Sequence, residues 1–365
     1  LIMFFKLPSV KNPKGPDFSK ARKIEKDFGI GRLSFKTNPS DPMYQVLPPW
    51  ESEAEKFDVT DNSIYTNKIS SEEKLPEHIK YVTFYSNSWT FKGGQIFNRS
   101  CGRLNMIGLV YRIENLAVNE SLFNKKDLLN TCLEIIKYDS CQIHNERSND
   151  NTIVILPQKW PNELGPLNAQ WLKINNINWL YYEYLSLIDS SIHIQLCTPL
   201  SDEHIIQINF PITLTLHNAG NAFQGFTQIP LDNFRKYILD IIYSLKLDIH
   251  NQLSSGSGLK SDDKGEKPVI EATPDHILLA KTVMRAWSAK EYTNPKLKKD
   301  DDHRASYEDV SALIDKLVQP TPLPNSYPRG EVMHNYMAMQ ILKDEEERAK
   351  AKMQEALSKS QASLE

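Results

Sequence analysis

Ile192-His193-Ile194-Gln195-Leu196 and, beyond a turn at Pro199-Leu200-Ser201-Asp202, His204-Ile205-Ile206-Gln207-Ile208-Asn209-Phe210 alternate apolar and polar residues. A period of two belongs to strands that bury one face. Working outward, Trp171-Leu172-Lys173-Ile174 and Asn178-Trp179-Leu180-Tyr181-Tyr182-Glu183-Tyr184 are rich in strand-favouring aromatic residues. Thr213-Leu214-Thr215-Leu216 continues the pattern, and Asn218-Ala219-Gly220-Asn221 reads as a loop. Phe234, Tyr237, Ile238, Ile241, Ile242 and Leu245 then fall on one side of a helix predicted from Leu231 to Leu245. Residues 160–248 are therefore expected to form an antiparallel sheet closed by a helix, an α+β arrangement.

Upstream, Tyr81 to Tyr85 and Gln95-Ile96-Phe97 around Gly93-Gly94 predict two strands and a turn, with Leu104 to Asn115 continuing as strand. Asn124 is placed to cap a helix carrying Leu128, Leu129, Cys132, Leu133, Ile135 and Ile136 at helical spacing. A polar stretch from Asp139 to Asn151 separates it from Ile153-Val154-Ile155-Leu156, which is short enough for a buried strand. Residues 1–80, rich in Pro and Lys before residue 50, are expected to form an irregular arm, and 81–253 the α+β domain.

Beyond Leu253 the composition changes at Ser254-Ser255-Gly256-Ser257-Gly258, which predicts a flexible linker. The linker looks man-made, a junction between two separate proteins, with a natural domain boundary as the other reading, and the terminal Leu364-Glu365 looks like a cloning remnant. Residues 259–365 are expected to be all-α. One helix starts at Thr273-Pro274 and runs to Trp287, and a second, capped by Ser306, carries Val310, Leu313, Ile314 and Leu317. Pro320 to Pro324 is an extended connector, followed by a helix from Val332 to Leu357 that begins Met-rich and ends charged.

Composition narrows the function classes. With 43 basic and 46 acidic residues the formal charge is −3, and the cations are spread along the chain, which disfavours nucleic-acid binding. The longest apolar runs fall far short of the roughly 20 residues of a membrane span. The sequence points to a soluble protein of the cytoplasm, or of the periplasm if a leader has been removed. Cys101, Cys132, Cys141 and Cys197 contain no Cys-x-x-Cys pair and are expected to be buried thiols, with a Cys132–Cys141 bridge as the alternative for an exported protein.

Catalytic signatures are weak. His193 and His204 sit on adjacent predicted strands, where histidines commonly hydrogen-bond in place. Asp300-Asp301-Asp302-His303-Arg304 offers ligands to a divalent ion, but a charge run more often forms a solvated loop. Gly93-Gly94 lacks the strand-turn-helix setting of a phosphate loop, and Glu72-Glu73 and Asp202-Glu203 lie in polar loops. No catalytic residue, metal site or cofactor is assigned. The candidates for a protein interface are Trp179, Tyr181, Trp287, Leu313, Leu317, Met333 and Met337. For Trp179 and Tyr181 sheet packing is the competing explanation, because alternation puts one set of aromatic residues into the core.

The order of Trp171 and Trp179, the turn Pro199 to Asp202, the strand His204 to Phe210 and a closing helix from Tyr237 to Leu247 resembles small bacterial proteins found beside toxic secretion effectors. These include immunity proteins of type VI secretion effector pairs. The resemblance covers residues 160–250 only and carries no functional residue across. It implies a non-enzymatic binder, immunity- or chaperone-like, that occludes a partner effector, with that protein partner or its fragment fused in residues 259–363. Two alternatives stand beside it. The C-terminal segment is a small metal-dependent, nuclease-like toxin using His303, His334 and the acidic run, or the whole chain is a structural component of a secretion apparatus.

Overall fold

The structure is a computed structural model that describes residues 9–41, 57–68, 74–93, 100–116, 120–140, 163–187, 189–215, 221–249, 274–288 and 304–317, with helical positions 347 and 351. Two antiparallel sheets form its frame. The larger has six strands: β3 (Ile79–Lys92), β4 (Ser100–Ile113), β5 (Glu163–Ile174), β6 (Ile177–Ser186), β7 (Ser191–Pro199) and β8 (His204–Leu214). They lie in the order β3-β4-β8-β7-β6-β5. The smaller sheet is β1-β2-β9, from β1 (Arg22–Asp27), β2 (Gly31–Thr37) and β9 (Lys246–Ile249). Helices α1 (Lys125–Ser140), α2 (Ala222–Gln228) and α3 (Asp232–Ser244) accompany them, and α4 (Pro274–Trp287) and α5 (Tyr307–Leu317) follow the linker region. The α+β class expected from the alternating strands is the one observed.

The alternation has a direct consequence in the large sheet. Leu104, Met106 and Val110 of β4, Ile206, Ile208, Phe210 and Ile212 of β8, and Ile192, Ile194 and Leu196 of β7 share one buried face. Helix α3 packs there through Phe234, Tyr237, Ile238, Ile241 and Ile242. Phe234 stacks on Phe91 with ring centroids 3.9 Å apart, and Tyr237 meets Trp89 edge-on at 5.2 Å. The opposite face is polar: Gln195, Cys197 and His193 of β7 lie beside Gln207 and Asn209 of β8 and Tyr182 and Tyr184 of β6. Helix α1 crosses that side, with the Lys125 ammonium 5.5 Å over the Trp171 ring and Glu134 3.1 Å from His78.

Residues 22–37 depart from the expected irregular arm. They form the β1–β2 hairpin, turned at Gly29, whose φ of 80° suits glycine and whose N–H donates to Asp27 Oδ1 at 3.0 Å. Phe35 and Phe28 close over Tyr85 and Phe84, at centroid distances of 5.0 and 5.1 Å. The sheet was obscured because β1 exposes charged side chains and because β2 finds its other neighbour, β9, far along the chain. The closing helix expected from Tyr237 to Leu247 ends at Ser244, and Leu247 belongs to β9. The strands expected at Gln95–Phe97 and Ile153–Leu156, and most of the helix expected from Val332 to Leu357, lie outside the described residues.

Gly102 is a point of close approach between α3 and the sheet. A Cβ there would lie 2.9 Å from Phe234 Cζ and 2.9 Å from the Thr213 carbonyl oxygen of the neighbouring strand. Gly102→Ala is expected to lower stability by about 2 kcal/mol through overpacking, read as a lower urea midpoint with an unchanged slope.

Candidate functional site

The described residues present three groupings from which function can be argued. The first is an internal ion pair. Glu183 projects from β6 towards α3 and is 1% exposed, and its Oε2 accepts from Arg235 Nη2 at 2.6 Å and from Asn168 Nδ2 at 3.2 Å. Its other oxygen accepts from the Tyr181 hydroxyl. Asn168 reaches the carboxylate from an irregular part of β5, where its own φ is 54°. Burial and the carboxylate push the Tyr181 phenol well above its ordinary range, so it stays protonated as a donor. A carboxylate with three donors is fixed as an acceptor and is poorly suited to abstracting a substrate proton.

The second grouping is the polar face near α1. Tyr182 donates to Gln195 Oε1, and Gln195 Nε2 donates to the Tyr184 hydroxyl at 3.1 Å. Tyr184 stacks on His193 at 4.6 Å with ring planes 13° apart. Burial pushes the His193 imidazolium down to about 4 and lowers that of His204, whose Nδ1 is 2.8 Å from Ser201 Oγ. Both rings are neutral at pH 7. The two histidines are on opposite faces by strand parity and do not meet. Cys132 of α1 is a free buried thiol, raised well above its usual range by hydrogen bonding with Cys197 and by burial. Cys141, the bridge partner considered for it, lies outside the described residues. Cys197 also lies 3.4 Å from Gln207 Oε1.

The third grouping joins the C-terminal helices to the body. Ala280, Val283 and Met284 of α4 and Val310, Leu313 and Ile314 of α5 are buried within the same hydrophobic cluster as the sheet. The two helices contact each other, and both contact α2. Trp287 and Leu317 are half-buried and pack against this cluster. Lys281 Nζ pairs with Asp315 Oδ1 at 2.8 Å, and the Ala305 N–H donates to Ser288 Oγ at 2.8 Å, so the pair is tied at two points. Ser306 Oγ accepts from the Asp309 N–H at 3.0 Å, the expected cap of α5.

The interface candidates thus divide. Trp287, Leu313 and Leu317 gather in the α4–α5 grouping. Trp179 and Tyr181 are 1% and 8% exposed and build the core, so neither presents a ring to a partner. Met333 and Met337 lie outside the described residues, as do His303 and His334. Helix α2 was missed because its seven residues follow a loop-like Asn-Ala-Gly-Asn stretch and contain Gly225. The available signal was Asn221, whose side chain caps it by accepting from the Gln224 N–H at 2.9 Å. Among the described residues, no group of three or more His, Cys, Asp or Glu side chains is arranged to hold a metal, and no helix is long and apolar enough to cross a membrane.

No family model matches the chain, and no curated protein matches it. Two solved structures overlap with it. One, a Glu-to-Ala mutant of protein Mog1, is 7% identical over 64% of this chain and 98% of the other, with a TM-score of 0.27. The second, from Bacteroides thetaiotaomicron, is 12% identical over 73% of this chain and 70% of the other, with a TM-score of 0.18.

Two outcomes follow from these groupings. Arg235→Ala is expected to cost about 3 kcal/mol by leaving the Glu183 carboxylate buried without its cation, while the pair Glu183→Leu with Arg235→Leu recovers much of that loss in urea titrations. In the acid range, a histidine whose folded pKa is depressed binds its proton more readily when unfolded. The His193 contribution is fully present above pH 6.5 and is lost as pH falls towards about 4. His193→Gln is expected to flatten the decline in urea midpoint between pH 6.5 and pH 5 relative to the parent protein.

Proposed function

We propose that residues 9–249 are a non-enzymatic binding module, immunity- or chaperone-like, and that the helical segment beyond the Ser254–Gly258 linker is a protein partner or its fragment carried on the same chain. The module acts by occlusion. It covers an apolar helical surface of an effector and thereby holds that surface out of use. What supports the reading is one observation: α4 and α5 bury matching apolar stripes against the body although the linker region separates them from it in sequence. A partner chain would use its apolar surface in the same way. The resemblance of residues 160–250 to type VI immunity proteins gives the reading its effector class. The activity requires a complementary surface and no cofactor.

The test is to place a protease site within residues 254–258, cut the purified full chain, and pass it over a sizing column at micromolar concentration. The two fragments are expected to elute together after cutting. Separate elution as two folded or unfolded species would overturn the reading. Growth arrest by residues 259–365 in bacteria, relieved by co-production of residues 1–253, is the result expected of an immunity pair; no arrest leaves the chaperone form of the proposal.

A further inference from the structure

We infer that α2 is the receptor element for the helical segment, that the partner it fits is an amphipathic helical hairpin, and that this hairpin folds by docking; the inference rests on the binding-module reading. The first argument is that the hairpin is too small to support itself. Helices α4 and α5 have 14 and 11 residues, near or below the length at which isolated helices hold their shape in water. Their apolar stripes are correspondingly short. Ala280, Val283 and Met284 repeat at i, i+3 and i+4, as do Val310, Leu313 and Ile314. Two such stripes facing only each other fall well short of an independent core. Ala280, Val283, Met284, Val310 and Ile314 are nonetheless at most 1% exposed, which requires a further surface, and α2 touches both helices.

The second argument is that α2 is anchored to the body by contacts that do not involve the hairpin. Ser190 Oγ donates to the Asn221 carbonyl at 2.8 Å, directly ahead of the helix. A Cβ on Gly225 would fall 2.2 Å from the same Ser190 Oγ, so the helix backbone rests on the segment that leads into β7. Ala222, Gly225, Phe226 and Ile229, at i, i+3, i+4 and i+7, are the buried side of this short element. Phe223 lies off that side, half-buried and packed against the hydrophobic cluster. A platform fixed in this way adds little ordering cost of its own, so the ordering cost of docking falls on the hairpin.

The third argument concerns the kind of partner. The Lys281–Asp315 pair and the Ala305-to-Ser288 hydrogen bond fix the two helices relative to each other. Asp315 is 60% exposed, so the ion pair contributes orientation more than affinity. A single helix would supply one stripe and leave the other half of the contact open. The fit is to two linked stripes, with the small residue Ala280 buried among them.

The test is hydrogen exchange of the full chain, comparing the parent protein with Phe223→Asp. Amides of residues 277–287 and 307–317 are expected to lose protection by at least about 10-fold while β7 and β8 keep theirs. Retained protection in both helices would overturn the inference, because the hairpin would then be self-supporting or held elsewhere. If the charge also loosens β7 and β8, Phe223→Ala replaces it, with the same two outcomes. The linker-cutting experiment separates the two ideas. Fragments that stay together although Phe223→Asp leaves the helices protected keep the binding module and remove α2 as its receptor. Fragments that part, with exchange responding as expected, do the reverse.

Discussion

The packing of α3 on the large sheet is the contact on which the other layers depend. Phe234 lies flat against Phe91, Tyr237 stands against Trp89, and Gly102 clears the space that lets the helix approach. Large aromatic side chains dominate such contacts because each removes a large apolar area from water. Tyr237 also carries a polar end into the core, where its hydroxyl donates to Asn38 Oδ1 at 3.0 Å. Asn38 in turn accepts from Trp89 Nε1 through its carbonyl at 3.1 Å. The end of β2, the strand β3 and the helix are thereby fixed at one point. The small sheet follows from where α3 stops. Ser244 Oγ accepts from the Lys36 N–H at 2.8 Å, and Lys246 then starts β9 in register with Ser34.

How much of this was legible in the sequence depended on whether the cause was local. Strands β7 and β8 were readable because alternation over Ile192–Leu196 and Ile205–Phe210 records burial on one side. The hairpin between β5 and β6 is equally local: Asn175 and Asn176 both have positive φ and close the Ile174–Ile177 pair, the turn that adjacent asparagines favour. The β1–β2–β9 sheet was not legible, since Arg22-Lys23-Ile24-Glu25-Lys26 resembles a solvated segment until β9 supplies the other edge. Glu183 was hidden for a related reason. A single carboxylate in an aromatic strand reads as outward-facing, and the cation that balances it when buried, Arg235, comes 52 residues later.

The same distinction applies to the candidate site. The stripes of α4 and α5 were visible as helical periodicity, and Leu313, Leu317 and Trp287 pack in or against the hydrophobic cluster. Trp179 and Tyr181 belong to the kind of residue that makes good interface anchors, but strand parity turns them towards the core with Glu183. Residue type alone does not separate these outcomes, because a core and an interface select the same aromatic side chains. Helix α2 was the least legible element. Seven residues of α2 carry little periodic signal, and the constraint that shapes them, the close approach of Gly225 to Ser190, exists only in three dimensions.

The distribution of polar groups bears on what such a fold can do. A buried carboxylate with three donors, neutral histidines and interlocked tyrosine and glutamine side chains have their hydrogen-bonding capacity directed inward. Arrangements of this kind specify strand register and helix position, since any slip strands a polar group in the apolar interior. They add rigidity. A rigid body gains most when function consists of offering a preformed surface to something that orders on contact, because the entropy lost on binding is then confined to one partner. Helix α2, pinned at Ser190 on one side and touching two marginal helices on the other, has the mechanical character that this division of labour requires.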